Sequence, residues 1–468
     1  MSAILSTRKR AFLTLGVLSL LSTQIPSCSS SDGGPGSSNS PTGGSVSIGG
    51  VAAVGGTAPS TSSDVGTGGS TGGTNGGTKS ISSSVSAGGK ASVGGASNAS
   101  ATGGTSVAGS TSAAGSANAT GGGGQYVVSM VQSSKANAAE ITQDDVKAMV
   151  ATAIDQAGGI GFIQDGQTVV LKPNLLTPYV GCWSSGTALA QTVNGVTTDW
   201  RVTKAVADLV RVRNPSGKIL VMEGSNRSTT TAFSLLGYTA ANFGTAVDEF
   251  IALEGTGCSS RSNSGLVQKP GKSGKMYWVN QRYFEADVLI SIGALKTHGS
   301  AGTTGCVKNV GIGSTPNSQY SVSTSDGDCT RNMSQSSASS YIDHSLAGLG
   351  KFISDFYSVR PADFAIMDGL QGLQHGPCTA NAPASDRMNM RLILAARNAV
   401  ALDTVQALVM NCSPPKIPYL TALESWGMGT TDSTKIALKG LVQGTGTPLS
   451  INDVKKSFAG GASGTCGN

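Results

Sequence analysis

From Gln125 onward, short apolar runs alternate with stretches in which apolar positions return with helical spacing. The runs Gln125–Val131, Thr168–Lys172, Lys218–Met222, Ala286–Gly293, Asp363–Met367 and Met390–Leu394 predict strands. Helices are predicted over Thr142–Ala157, Asp199–Val212, Thr229–Leu236, Asp343–Tyr357 and Ala399–Met410. Thr142 is placed to cap the first of them, with Asp144 and Asp145 in its first turn, and Gly237 ends the third. Strands that are apolar on both faces and separated by helices predict an α/β domain with a mostly parallel sheet and helices on both faces. Segments 180–198, 255–274 and 314–340 are rich in Gly, Ser and Asn and predict loop-rich insertions.

Before Gln125 the pattern is different. Residues 29–124 hold 28 of the 66 glycines, four charged residues (Asp32, Asp64, Lys79, Lys90) and no aromatic side chain. Such a segment buries too little apolar surface to offset its ordering entropy, and a disordered tether is expected. A Gly-rich coil of this length has an r.m.s. span of roughly 50–60 Å. Residues 1–28 predict an export signal: Arg8-Lys9-Arg10 precedes the apolar stretch Ala11–Leu21. Lys9-Arg10-Ala11-Phe12-Leu13 is similar to a twin-arginine signal, and Ile25-Pro26-Ser27-Cys28 resembles a lipobox. The expectation is an exported lipoprotein of the bacterial envelope or cell surface, anchored to the membrane through lipid on Cys28 and carrying its α/β domain on residues 125–468.

The net charge of +6 shrinks on inspection, because Arg8, Lys9 and Arg10 supply three units and the tether none. A domain near neutrality, with no basic stripe interleaved with aromatics, is no nucleic-acid footprint. Seven cysteines follow Cys28, namely Cys182, Cys258, Cys306, Cys329, Cys378, Cys412 and Cys466. None is spaced as C-x-x-C, so there is neither a zinc ribbon nor a ferredoxin-type iron–sulfur run. Disulfides are expected, with Cys306 as the odd thiol and the pairing of the other six left open.

Polar residues follow the predicted strands: Lys172-Pro173-Asn174, Glu223-Gly224-Ser225, Lys296-Thr297-His298 and Asp368-Gly369. In a parallel sheet these strand ends share one edge, where ligands bind. Lys172, Lys296 and Lys308 at such an edge point to a small anionic ligand, a carboxylate or phosphate, or else to internal pairing with Glu223, Asp368 and Asp403. His298 lies between Lys296 and Lys308-Asn309, and nearby cations keep an imidazole neutral. Gly299-x-x-Gly302-x-x-Gly305 matches neither the phosphate loop nor the dinucleotide fingerprint.

In order and spacing, these motifs resemble domain-of-unknown-function family 362. The residues that carry the likeness are Val170–Asn174, Ala286–Ser291, Leu295–His298, Val307–Gly311, Arg360–Asp363, Ile366–Gly369, Gly376-Pro377, Ala399–Asp403 and Lys416–Leu420, within about Thr168–Gly429. Some members of that family are described as iron–sulfur proteins, and several exported relatives carry twin-arginine signals. The resemblance implies a shared domain and a shared site but no reaction, metal or cofactor.

Two functions fit. One is an enzyme acting on a small anionic substrate by acid/base or cofactor-assisted chemistry. In it His298, with His375 or Asp368, is catalytic, while Lys172, Asn174, Glu223, Lys296, Thr297, Lys308 and Asn309 hold the substrate. The other is a surface-tethered binding module for an anionic ligand, without catalysis.

Overall fold

Local signals start the helices. Thr142 and Asp145 exchange reciprocal hydrogen bonds at the first helix, 3.2 Å from Asp145 N to Thr142 Oγ1 and 2.9 Å from Thr142 N to Asp145 Oδ2. Asp199 caps the second by accepting from Arg201 N at 3.0 Å. The computed structural model describes residues 125–181, 186–225, 228–253, 265–314, 342–378 and 384–466. The expected export signal with Cys28, the expected tether, and Cys182, Cys258 and Cys329 lie outside the described residues.

The strands are β1 (Tyr126–Gln132), β2 (Thr168–Pro173), β3 (Lys218–Glu223), β4 (Glu249–Ala252), β5 (Leu266–Pro270), β6 (Met276–Asn280), β7 (Val288–His298), β8 (Gly302–Thr304), β9 (Phe364–Leu373), β10 (Arg387–Ala396) and β11 (Ile436–Val442). The helices are α1 (Gln143–Gln156), α2 (Trp200–Arg213), α3 (Thr229–Leu235), α4 (Ala240–Phe243), α5 (Gln281–Phe284), α6 (Cys306–Gly313), α7 (Leu346–Tyr357), α8 (Ala399–Val409), α9 (Pro418–Ser425) and α10 (Ile451–Val454).

Among the described residues, the main sheet runs β11-β1-β10-β9-β7-β2-β3-β4, with β8 hairpinned onto the end of β7. The stretch β9-β7-β2-β3-β4 is parallel throughout. Strand β10 pairs antiparallel with both β9 and β1, and β11 adds to β1 in parallel. The sheet is thus mostly parallel, as its apolar strands require.

Alternate residues of the central strands feed two cores. Val169, Leu171, Ile290 and Ile292 pack with Val202 and Val206 of α2 and with Val146 and Val150 of α1. Val170, Leu289 and Met367 pack with Val307 and Val310 of α6, Ile353 of α7 and Leu402 of α8. Helices therefore cover both faces, and the period-two alternation of the strands decides which core each side chain joins.

Four sequence-based expectations change. Strand β7 does not stop at Gly293 but continues through Lys296, Thr297 and His298, because these residues pair with Thr304, Thr303 and Gly302 of β8. Strand β9 likewise runs through Asp368 to Leu373. Part of segment 255–274 is strand: β5 pairs with β6 as a separate antiparallel hairpin. Strand β11 carries no strong apolar run and is held by its pairing to β1. Polarity marked strand ends too early, since a polar side chain inside a strand is tolerated once it is hydrogen-bonded.

Two fixtures lock the elements near the sheet edge. The Asp403 carboxylate, on α8, accepts from Cys306 N at 2.8 Å and Val307 N at 2.9 Å, capping α6 from another helix. Burial pushes this carboxyl up to about 7 despite those two bonds. The second fixture is the disulfide Cys412–Cys466, closing a separation of 54 residues. It pins a tail in which Ala459 O accepts both His375 N at 2.9 Å and Thr297 Oγ1 at 3.0 Å. Cys378 is also disulfide-bonded, and Cys306 is a buried free thiol, in line with its expected place as the odd cysteine.

A Cβ on Gly305 would lie 2.3 Å from the Asp403 carboxylate. Gly305→Ala is therefore expected to cost about 1–3 kcal/mol by overpacking, read as a fall in Tm by circular dichroism. A Tm equal to wild type would show that Asp403 does not cap α6. Removing the Cys412–Cys466 bridge as the double Ser variant is expected to cost up to roughly 4 kcal/mol on a chain-entropy basis. Urea unfolding measures it, and an unchanged midpoint would leave the bridge without a stabilising role.

Candidate functional site

Lys172 is the last side chain of β2 before Pro173, and it is fully buried. An ammonium group with no water must be surrounded by acceptors. Its Nζ donates to both Glu223 oxygens at 3.0 Å, to Asn309 Oδ1 at 3.0 Å and to Pro173 O at 3.1 Å. Glu223 ends the neighbouring strand β3, so the parallel register of β2 and β3 brings the pair together. The Glu223 oxygens also accept from Gly224 N at 2.8 Å and Leu175 N at 3.0 Å. Burial pulls the Lys172 ammonium below its ordinary range, and Glu223 opposes that shift. A Cβ on Gly313 would come within 2.7 Å of Lys172 Nζ, so the end of α6 closes over the pair only with glycine there.

Asn309, on α6, joins three elements. Its Nδ2 donates to Lys172 O at 2.8 Å and to Ser291 Oγ of β7 at 3.1 Å, while its Oδ1 takes the Lys172 ammonium. Asn174 Nδ2 lies 3.4 Å from the same Oδ1, and Asn174 Oδ1 accepts from Lys296 Nζ at 2.9 Å. Lys296 Nζ also donates to Val196 O. The line Glu223–Lys172–Asn309–Asn174–Lys296 is thus one hydrogen-bonded chain across the ends of β3, β2 and β7.

Lys296 is fully buried and forms no ion pair among the described residues. Its pKa is drawn well down by burial and then by the Lys308 charge, with Glu223 acting against both. Lys308, half-buried on α6, is lowered to about 8 by burial and by Lys172. His298 is held well below its ordinary value by burial, then by Lys308, Lys296 and His344. His298 Nδ1 accepts from Ser300 N at 3.1 Å and Ala301 N at 3.2 Å, fixing the ring against the β7–β8 turn.

Among the described residues, the remaining candidates form no hydrogen bond with the members of this chain. Asp368 extends from β9 into the core that contains α2. Its two oxygens accept from Asp199 N at 2.7 Å and Leu370 N at 3.0 Å, tying the start of α2 to the sheet. Burial, then Asp199, raises its pKa. Thr297 alternates away from Lys296 and His298, donating to Ala459 O and accepting from Gly376 N at 3.2 Å. His375 is exposed, with φ +54° and Nδ1 2.9 Å from Asp386 Oδ1. Gly299 N donates to Gly376 O at 3.2 Å, so the His298 and His375 segments are joined one residue beyond each histidine.

Several motif residues serve the fold. Asp363 accepts from Leu289 N at 2.9 Å and pairs with Arg360 at 2.7 Å, aligning β9 with β7. Asn398 caps α8. Sequence reasoning missed Ser291, Asp386, and the Ser300 and Ala301 amides. Ser291 is an isolated polar residue in an apolar run, a signal that was legible. Asp386 lies 11 residues from His375, with nothing in the spacing to link the two. Among the described residues no cluster of three His, Cys, Asp or Glu is placed to hold a metal ion, and no helix is long and apolar enough to cross a membrane.

No curated protein matches the chain. A solved structure similar to it is that of the lactate racemase apoprotein from Thermoanaerobacterium thermosaccharolyticum, at 14% identity and TM-score 0.33, covering 61% of this chain. The chain spans 57% of the length of that racemase. Residues 169–407, just over half of the 468, match the family model described as Domain of unknown function (DUF362). The matched span includes every member of the Glu223–Lys172–Asn309–Asn174–Lys296 chain, and the protein belongs to that family.

Proposed function

We propose that the edge formed by the ends of β2, β3 and β7 binds a small anion of the carboxylate or phosphate class, and that the protein is an enzyme moving a proton on that anion. The observation that carries this reading is the local charge inventory. Among the described residues, the one carboxylate that bonds Lys172, Lys296 or Lys308 is that of Glu223. Glu223 is already committed to Lys172, at 3.0 Å. Uncompensated buried ammonium groups are costly, and the site meets the cost either by giving up protons or by taking an anion. Both responses suit proton-transfer chemistry. Lys308, near 8, holds its proton loosely, and His298 stays neutral at physiological pH.

Display of this site outside the cell, through the export signal and Cys28 read from the sequence, belongs to the same proposal.

An anion favours the protonated ammonium, so binding is coupled to proton uptake by Lys308. The sign follows. Below pH 8 Lys308 is already protonated in the free site; above pH 8 each bound anion must bring a proton to it. Sulfate, which does not titrate in this range, is expected to bind about tenfold more weakly at pH 9 than at pH 7 by isothermal calorimetry. In Lys308→Met that pH dependence should weaken while Lys172, Lys296, His298, His344 and Glu223 remain. Absence of sulfate binding, or equal affinity at both pH values, would overturn the reading.

Glu223→Gln leaves Lys172 buried without its counter-charge, a change expected to cost about 3–5 kcal/mol. Added sulfate should recover more of the Tm in this variant than it adds to the wild type. A variant that sulfate leaves untouched would show that no anion reaches the Lys172 region.

A further inference from the structure

The surroundings of the two histidines fix which ring nitrogen carries the proton in each. At His298, two backbone N–H groups, Ser300 at 3.1 Å and Ala301 at 3.2 Å, point at Nδ1. A donor aimed at a ring nitrogen excludes a proton there, so the neutral ring carries its hydrogen on Nε2. The neighbouring cations Lys296 and Lys308, with His344, oppose a second proton. His298 therefore offers a donor at Nε2 and has no lone pair to use as a base.

At His375 the opposite holds. Nδ1 lies 2.9 Å from Asp386 Oδ1, and Asp386 is buried. An ionised carboxylate only accepts, so Nδ1 carries the hydrogen and Nε2 keeps its lone pair. The residue is held in place by strain and contact. Its φ is +54°, its N–H is bound by Ala459 O at 2.9 Å, and a Cβ on Gly460 would meet its Cα at 2.4 Å and its Cδ2 at 2.7 Å. Half of the side chain stays open to solvent, at 52%.

We propose that His298 and His375 are locked in opposite tautomers and divide the proton chemistry, His375 Nε2 accepting a proton and His298 Nε2–H donating a hydrogen bond to a substrate oxygen. Asp386 and the Ser300 and Ala301 amides are then the positioning groups. The proposal rests on the anion-site reading and narrows its substrate to a small acid with a removable proton and a second, hydrogen-bond-accepting oxygen. In the step, the proton passes from substrate to His375 Nε2 and its bonding pair stays on the substrate. The charge gathering on the oxygen is met by His298 Nε2–H. Return of the proton from His375 closes the cycle, and no oxidant or reductant is needed.

With three histidines in the whole chain, the test is direct. The full-length protein is labelled with 15N-histidine, and long-range proton–nitrogen correlation reads the protonated nitrogen of each ring. His344→Gln and His375→Gln assign the signals. The expected result is hydrogen on Nε2 of His298 and on Nδ1 of His375. Both rings in the same tautomer, or either ring averaging between the two, would overturn the division of roles. Asp386→Leu takes the acceptor away from Nδ1, so the His375 hydrogen should no longer be held on Nδ1 while His298 is unchanged; an unmoved His375 signal would also count against the proposal. Should that variant fail to fold, the wild-type spectrum decides alone. Sulfate binding, measured on the same sample, separates the two readings. Binding with matching tautomers removes the division of roles but leaves the anion site, and opposed tautomers without binding do the reverse.

Discussion

The Lys172 ammonium and the Glu223 carboxylate face each other at 3.0 Å, both almost fully withdrawn from water. A pair of this kind stabilises little by itself, because the attraction is offset by the loss of hydration. Its effect is to dictate the identity of its neighbours. Asn309 must reach across from α6 to complete the acceptors around Lys172, Gly313 must lack a side chain, and Leu175 and Gly224 must turn their amides toward Glu223. The ends of β2 and β3 and the packing of α6 are thus set by one buried charge. Lys296, joined through Asn174, is bonded by no carboxylate among the described residues.

Much of the architecture was legible because apolar periodicity reports burial, and burial defines strands and helices. Thr142 and Asp199 stand where their helices are capped, and the apolar runs fall on the central strands. What failed was the equation of polarity with strand endings. Lys296 and His298 read as loop residues, yet the β8 hairpin supplies the ladder that keeps them extended. The candidate site was half legible for the same reason. Lys172, Asn174, Glu223 and Lys296 converge because parallel strands present their ends along one edge, a rule that sequence alone can apply, and Asn309 joins them from α6. Asp368 also lies on that edge, on the face toward α2 where Lys296 reaches Val196 O, but its oxygens are taken by Asp199 N and Leu370 N, bonds that sequence alone does not show.

The two imidazoles show how main-chain geometry assigns chemistry to identical side chains. One ring meets the amides of a tight turn, and the other meets a carboxylate from the loop before β10. The C-terminal tail links them indirectly, since Ala459 O takes both the Thr297 hydroxyl and the His375 amide. The disulfide at Cys412 and Cys466 thus holds the tail whose Ala459 carbonyl joins the Thr297 and His375 segments.

The position of β1 has a kinetic meaning. Its partners are β10 and β11, with Val128 opposite Ala396 and Tyr126 opposite Ile436. The first described strand thus waits on pairings of very high contact order, which are slow to close. Until they form, Val128, Met130 and Val131 belong to an open-edged apolar ribbon, the kind of surface that invites aggregation during synthesis. Nascent chains of this protein consequently depend on the strand being shielded until its distant neighbours have emerged, a demand that chaperones exist to meet.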